Sequence, residues 1–223
     1  MRFKTLCLSV FLVALPAGAQ FFSFETTDPP MTIPDQTPGL DVCQTIFVPL
    51  SITMGEVEVE ITATHTWVGD LTFQLTRVAS STLPLAHKGN ASGTLTLLNR
   101  PGRSGDGGGS GNSDDLVAET PIRFSDFASS SQSAETLGDP PCGGVIDGSP
   151  DCPDNYIPAP DVTDTPFPGQ GVDFFTTFHA LDSLGEWTLC AGDSAAGDPG
   201  TLISWRLFIG PIIPVELQSF SIE

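Results

Sequence analysis

Positive charge is the scarcest resource in this chain. Eight Lys and Arg stand against 27 Asp and Glu over 223 residues, a formal net charge of −19. A general affinity for nucleic acid needs clustered basic residues and is excluded. Anionic membrane surfaces are disfavoured for the same reason. Histidine is rarer still, and His65, His87 and His179 are the whole set. No apolar run reaches the roughly twenty residues of a membrane-spanning helix. No C-x-x-C spacing occurs, so the usual cysteine zinc patterns are missing. Strong helix formers are thin too. What fills the chain instead is Thr, Val, Phe, Gly and Pro, including 15 Phe, 23 Gly and 20 Pro. That composition predicts an all-β protein.

The first residues read as an export leader over 1–19. Arg2 and Lys4 make a positive start, Leu6 to Leu15 an apolar core of about ten residues, and Pro16 ends it. Ala17-Gly18-Ala19 supplies the small residues of a cleavage site. The expectation is a secreted or cell-surface protein starting near Gln20, with a linker over 20–30. Beyond the leader's Cys7 remain Cys43, Cys142, Cys152 and Cys190, an even number suited to an oxidising compartment. Four cysteines allow three pairings. Cys142 and Cys152 bracket the Pro/Gly/Asp-rich stretch from Gly143 to Asp151, which favours a local bridge and leaves Cys43 for Cys190.

Period-two alternation then locates the strands. Val57, Val59, Ile61 and Ala63 alternate with Glu56, Glu58, Glu60 and Thr62, giving one apolar and one acidic face. His65 and Trp67 continue the apolar parity and are expected to point inward. Gly69-Asp70 makes a tight corner, after which Leu71, Phe73 and Leu75 begin a second strand. Ile46, Val48, Leu50 and Ile52 predict an earlier strand, and Thr94 to Leu98 a later one. Pro121 to Phe127 reads as another. Trp187 and Leu189 share a face, and Leu202, Ile203, Trp205, Leu207 and Ile209 form the last strand. Trp187 and Trp205 are expected core residues. Arg77 to Lys88 and the glycine-rich Asn99 to Asp115 read as loops, and Ser129 to Gly171 as a long irregular segment.

Several of these stretches together resemble the P domain, or Homo B domain, which follows the catalytic domain in subtilisin-like proprotein convertases and in secreted bacterial proteases. The residues that carry the resemblance are Thr64-His65-Thr66-Trp67-Val68-Gly69-Asp70-Leu71, Asn99-Arg100-Pro101-Gly102, Phe124-Ser125-Asp126, Gly185-Glu186-Trp187-Thr188-Leu189 and Asp193 to Trp205. They occur in the family's order and cover about residues 31–210. The resemblance implies a single jelly-roll-like β-sandwich of the galactose-binding-like kind, with the glycine-rich loop and the Cys142–Cys152 region as long insertions. It implies a non-catalytic accessory or binding role beside a serine protease. It also implies calcium near the Asp70 and Asp193–Asp198 turns. The candidate ligands are Asp70, Asp126, Asp193 and Asp198, all at expected strand ends or turns, since calcium takes six to eight oxygens. The tail over 211–223 lies outside the sandwich pattern. Its Pro214-Val215-Glu216-Leu217 followed by Ser219-Phe220 resembles the junction before the C-terminal sorting module of type IX-secreted proteins, and equally suits a terminal strand.

A protease of its own would need an activated serine, a base and an orienting carboxylate. His65 sits in an apolar strand face. Ser110 lies between Gly109 and Gly111 with no ordered scaffold around it. The reading is therefore a non-catalytic exported module whose partner is a subtilisin-like protease. A free-standing lectin-like or adhesin-like module for an extracellular carbohydrate or protein surface is the alternative.

Overall fold

A computed structural model describes residues 21–35, 40, 42–79, 92–102, 111–128, 133–138, 144–149, 154–159 and 173–212. Cys142, Cys152, His87, Ser110, the leader over 1–19 and residues 213–223 of the tail lie outside them. The described strands are β1 (Phe22–Glu25), β2 (Met31–Ile33), β3 (Val42–Val48), β4 (Met54–His65), β5 (Leu71–Ala79), β6 (Gly93–Asn99), β7 (Ile122–Phe124), β8 (Asn155–Tyr156), β9 (Gly185–Asp193) and β10 (Gly200–Pro211). One short helix, α1 (Phe174–Phe178), precedes β9.

The strands form an all-β sandwich of two sheets. A six-stranded sheet runs β1-β10-β4-β7-β8, with β2 also on β10, and a four-stranded sheet runs β3-β9-β5-β6. Neighbouring strands are antiparallel except the β7–β8 pair. The inward residues close one core. Val57, Val59, Ile61 and Ala63 of β4 face Phe73 and Leu75 of β5, Trp187 and Leu189 of β9, and Trp205 and Leu207 of β10. Trp187 is fully buried, donates from Nε1 to the Ser183 carbonyl at 2.9 Å and packs on Phe178 with ring centres 5.1 Å apart. Among the described residues no helix is long and apolar enough to cross a membrane.

Several elements depart from the alternation expected of the sequence. The first long strand begins at Val42 and stops at Val48, where Pro49 removes a ladder donor, so Leu50 is exposed. In that strand Gln44 occupies an inward position and anchors its amide on the Pro29 and Ile203 carbonyls. Leu202 and Trp205 differ in parity yet are both buried, because a bulge between Leu202 and Ser204 inserts Ile203. β5 runs on through Arg77, which is buried and therefore not part of a loop. The stretch 129–171 holds, in its described part, a 3₁₀ turn over Ala134–Thr136 and strand β8.

The outer face of β4 is not a plain solvated acidic face. β4 lies between β10 and β7, and two of the chain's six arginines, Arg123 and Arg206, stand there. Glu25, Arg206, Glu60 and Arg123 stand in one cross-strand rank. Arg206 bridges Glu25 and Glu60 at 3.2 and 3.1 Å. Arg123 pairs with Glu58, which is buried and also accepts from Ser125 Oγ at 2.8 Å. Exposed ion pairs contribute only about 0–1 kcal/mol each, so this rank fixes register more than it adds stability.

Cys43 and Cys190 are directly opposite in β3 and β9 and form a disulfide 147 residues apart in sequence. A loop that long costs the unfolded chain about 4–5 kcal/mol of closure entropy in the simplest treatment. The bond ties an edge strand to the centre of the small sheet, on its outer face.

Candidate functional site

The corner around Thr64–Leu71 is built where β4 turns into β5. β4 ends at His65, and Val68–Asp70 makes one 3₁₀ turn before Leu71. Gly69 is required by close approach. A Cβ there would lie 2.5 Å from the Asn112 nitrogen and 2.6 Å from Gly111, and the Gly69 N–H donates to the Asn112 carbonyl at 2.8 Å. Segment 111–116 runs beside the corner and also pairs with it at Val68 and His65. The Asn99–Gly102 turn joins through the Arg100 N–H, which donates to the Leu71 carbonyl at 2.8 Å. The turn after β9 joins through the Ser194 N–H to the Asp70 carbonyl at 3.1 Å, and through Thr66 Oγ1 to Asp198 Oδ1 at 3.0 Å.

His65 is the centre of this corner. Its side chain is buried, and so is that of Asp193. The Trp67 backbone N–H donates to Nδ1 at 3.1 Å, so Nδ1 carries no proton. The ring proton is then on Nε2, which donates to Asp193 Oδ2 at 3.3 Å. The other Asp193 oxygen accepts from the Ala195 N–H at 3.0 Å. Burial raises the Asp193 pKa, and the Ala195 and His65 contacts offset part of that rise. A base needs a free nitrogen at a substrate, and His65 has none. The imidazole–carboxylate pair is a latch between β4 and the β9–β10 turn. Gly200 lies against the ring, where a Cβ would be 2.4 Å from Cδ2.

The expected inward direction holds for His65, Trp187 and Trp205 and fails for Trp67. Trp67 is half-buried in the cap of the 3₁₀ turn, because the chain has left the ladder by Thr66. The four candidate calcium aspartates are not gathered into one shell. Asp70 and Asp193 adjoin at the corner, and Asp198 is held by Thr66. Asp126 follows β7 and caps α1, accepting from the Phe174 and Phe175 N–H groups at 3.0 and 2.7 Å. Among the described residues no group of three or more His, Cys, Asp or Glu is arranged to hold a metal ion.

A second feature lies at the opposite end of β4. A groove of about 420 Å³ is lined by Glu56 and its neighbours at the start of β4, by Asp126, Phe127 and Ile157, and by Asp173, Phe174, Phe175 and His179 around α1. Phe127 and Phe175 are exposed by 72% and 56%, unusual for aromatic rings in a folded domain. Phe175 stacks on His179 with centres 4.1 Å apart. Burial, with Glu58 beside it, raises the Glu56 pKa, and Arg123 partly opposes this. Burial also raises the Asp126 pKa, against the pull of its two N–H donors. The alternation along β4 places Glu56 on the acidic face and gives no sign of this groove. The available signal was local. Asp173 followed by Thr176 is an N-cap pattern, and Phe174 and Phe178 at i and i+4 make one helical face, which turns Phe175 outward.

No protein-family model matches the chain. No curated protein matches it. Among solved structures the chain is similar to the serine protease of Aeromonas sobria, with 16% identity, a TM-score of 0.36, and coverage of 87% of this chain and 27% of that one. It is similar also to that protease in complex with its chaperone, with 14% identity, a TM-score of 0.34, and coverage of 87% and 28%. The chain thus spans little more than a quarter of these neighbours' length. At such scores the likeness bears no functional inference.

Proposed function

We propose that this chain is an exported, non-catalytic module of the P-domain kind, which stabilises or targets a subtilisin-like serine protease. One observation carries the reading. The segments that hold the P-domain resemblance are far apart in sequence, yet Thr64–Leu71, Asn99–Gly102 and the turn after Asp193 pack into one hydrogen-bonded corner. A chance collection of short motifs has no reason to meet in space. Export is supported by the leader pattern of residues 1–19 and by the Cys43–Cys190 bridge, since such bonds persist in oxidising compartments. A structural role for His65 is supported by the commitment of both its ring nitrogens.

The test is affinity capture from the native secretome with the chain from Gln20 onward as bait. A subtilisin-like serine protease in the eluate is the expected result. Retention on insoluble polysaccharide, with no protease captured, would replace this reading by the free-standing binding module. The bait alone is expected to leave a generic peptide substrate uncut. Cleavage that a serine-directed inhibitor blocks would overturn the non-catalytic reading.

A further inference from the structure

We infer that the groove at the start of β4 is a docking site for an arginine side chain presented by a partner polypeptide. Its walls are apolar, made chiefly by Phe127, Ile157 and Phe175, with His179 stacked on Phe175, and its carboxylates make the lining acidic. Glu56 of β4, Asp126 after β7 and Asp173 at the start of α1 contribute carboxylates, and no Lys or Arg is among the described lining residues. The Arg123 guanidinium, whose charge acts on Glu56, is committed to Glu58. The carboxylates differ in what is left for a ligand. Asp126 is bound by two backbone N–H groups, and Asp173 by the Thr176 N–H and hydroxyl. Glu56 is half-buried and has no hydrogen-bond or ion partner among the described residues. An unpaired carboxylate in partly apolar surroundings is costly, and a cation relieves that cost.

The exposed rings decide which cation. A hydrated calcium ion needs six to eight oxygens, and this groove offers phenyl faces and two already occupied carboxylates instead. A guanidinium is planar and weakly hydrated, and it stacks on aromatic faces while bonding carboxylates. Its aliphatic stem suits a wall such as Ile157. The same sheet already contains such an arrangement in miniature. Arg123 lies 4.5 Å above the Phe208 ring centre while it pairs with Glu58. The groove repeats the phenyl-plus-carboxylate half of that arrangement and leaves the arginine place open. Its volume of about 420 Å³ falls inside the usual range of about 300–1,000 Å³ for binding pockets.

This inference is independent of whether the partner is a protease. Its test uses the chain from Gln20 onward, ¹⁵N-labelled, titrated with acetyl-Leu-Arg-Leu-amide and followed by amide chemical shifts. NMR detects millimolar affinity, so a silent titration is itself decisive. The expected result is saturable shifts at Glu56, Phe127 and Phe175, with affinity at least tenfold weaker for the citrulline counterpart. Glu56→Gln is expected to weaken arginine-peptide binding at least tenfold, and Phe175→Ala about fivefold, each with the melting temperature moved by no more than about 2 °C. No saturable shift, equal affinity for arginine and citrulline, or equal affinity of Glu56→Gln and the parent would overturn the assignment. So would calcium at 5 mM producing the same local shifts and displacing the peptide, since the occupant would then be a metal ion. Failure here leaves the secretome capture untouched, and failure of the capture leaves this site standing.

Discussion

The two ends of β4 make opposite use of the same residue types. At one end His65 and Asp193 are buried and paired, and every nitrogen of the ring has a partner. At the other, roughly 30 Å away at the usual rise per strand residue, Glu56 is unpaired beside two exposed phenyl rings. A histidine and an aspartate look like chemistry in a sequence, and a glutamate in an alternating strand looks like solvated surface. The structure reverses the assignment. Burial decides the matter: polar groups deep in a sandwich must be satisfied by the protein itself, so they are used up as structure. Polar groups at a groove rim keep bonding capacity for something else.

The largest break in this contrast is His65→Ala. It strips a buried carboxylate of its partner and leaves a cavity under Gly200, so a loss of about 3–5 kcal/mol is expected from urea unfolding. A loss below about 1 kcal/mol would mean that the latch does not hold the corner. Gly200→Ala comes next. The added methyl would meet the His65 ring and the Thr64 carbonyl, and about 1–3 kcal/mol is expected to be lost. At the groove end Glu56→Gln should shift stability by no more than about 0.5 kcal/mol, and upward at neutral pH. The comparison fails if this variant unfolds as readily as His65→Ala.

A pH series sharpens the same contrast. Glu56, Asp126 and Asp193 all have folded pKa values above their ordinary ones. The native state therefore holds these protons more tightly than the unfolded chain does. That contribution is full below the ordinary values of 4.5 for Glu and 3.8 for Asp, and it is lost as pH rises through the folded ones. Melting temperature should climb as pH is lowered from 7 toward 5. The combined Glu56→Gln and Asp126→Asn variant should flatten that slope, and an unchanged slope would remove the groove from the account. The smallest expected effect is that of calcium. Because Asp126 lies at the far end of β4 from Asp70, Asp193 and Asp198, and no group of three or more metal-ligating side chains forms among the described residues, exchanging 1 mM calcium for a chelator should move the melting temperature by less than about 1 °C. A shift of several degrees would point to a site built from loop carbonyls.

Much of the sandwich was legible in advance. The alternation of β4 and β5 and the tryptophans of β9 and β10 gave the right faces, because a period of two is local and any half-buried strand must obey it. The errors share a cause. Leu50 shares the parity of Ile46 and Val48, but Pro49 ends the ladder before it. The last strand is where it is expected, and only the bulge between Leu202 and Ser204, which lets both Leu202 and Trp205 face inward, has no local signal. Glu58 and Glu60 read as solvated because their arginine partners come from β7 and β10, which no local pattern reveals. The groove was invisible because Glu56, Phe127 and Phe175 belong to three separate segments.

The sequence by itself determined the all-β class, the acidic surface and the inward faces of the long strands. Each follows from composition or from neighbours one and two residues away. Only the tertiary structure decided which polar residues are consumed and which are left over. That depends on contacts between His65 and Asp193, or between Glu56 and the end of α1, across more than a hundred residues of chain. A side chain's remaining bonding capacity is a property of its surroundings in space, and the order of residues does not record it.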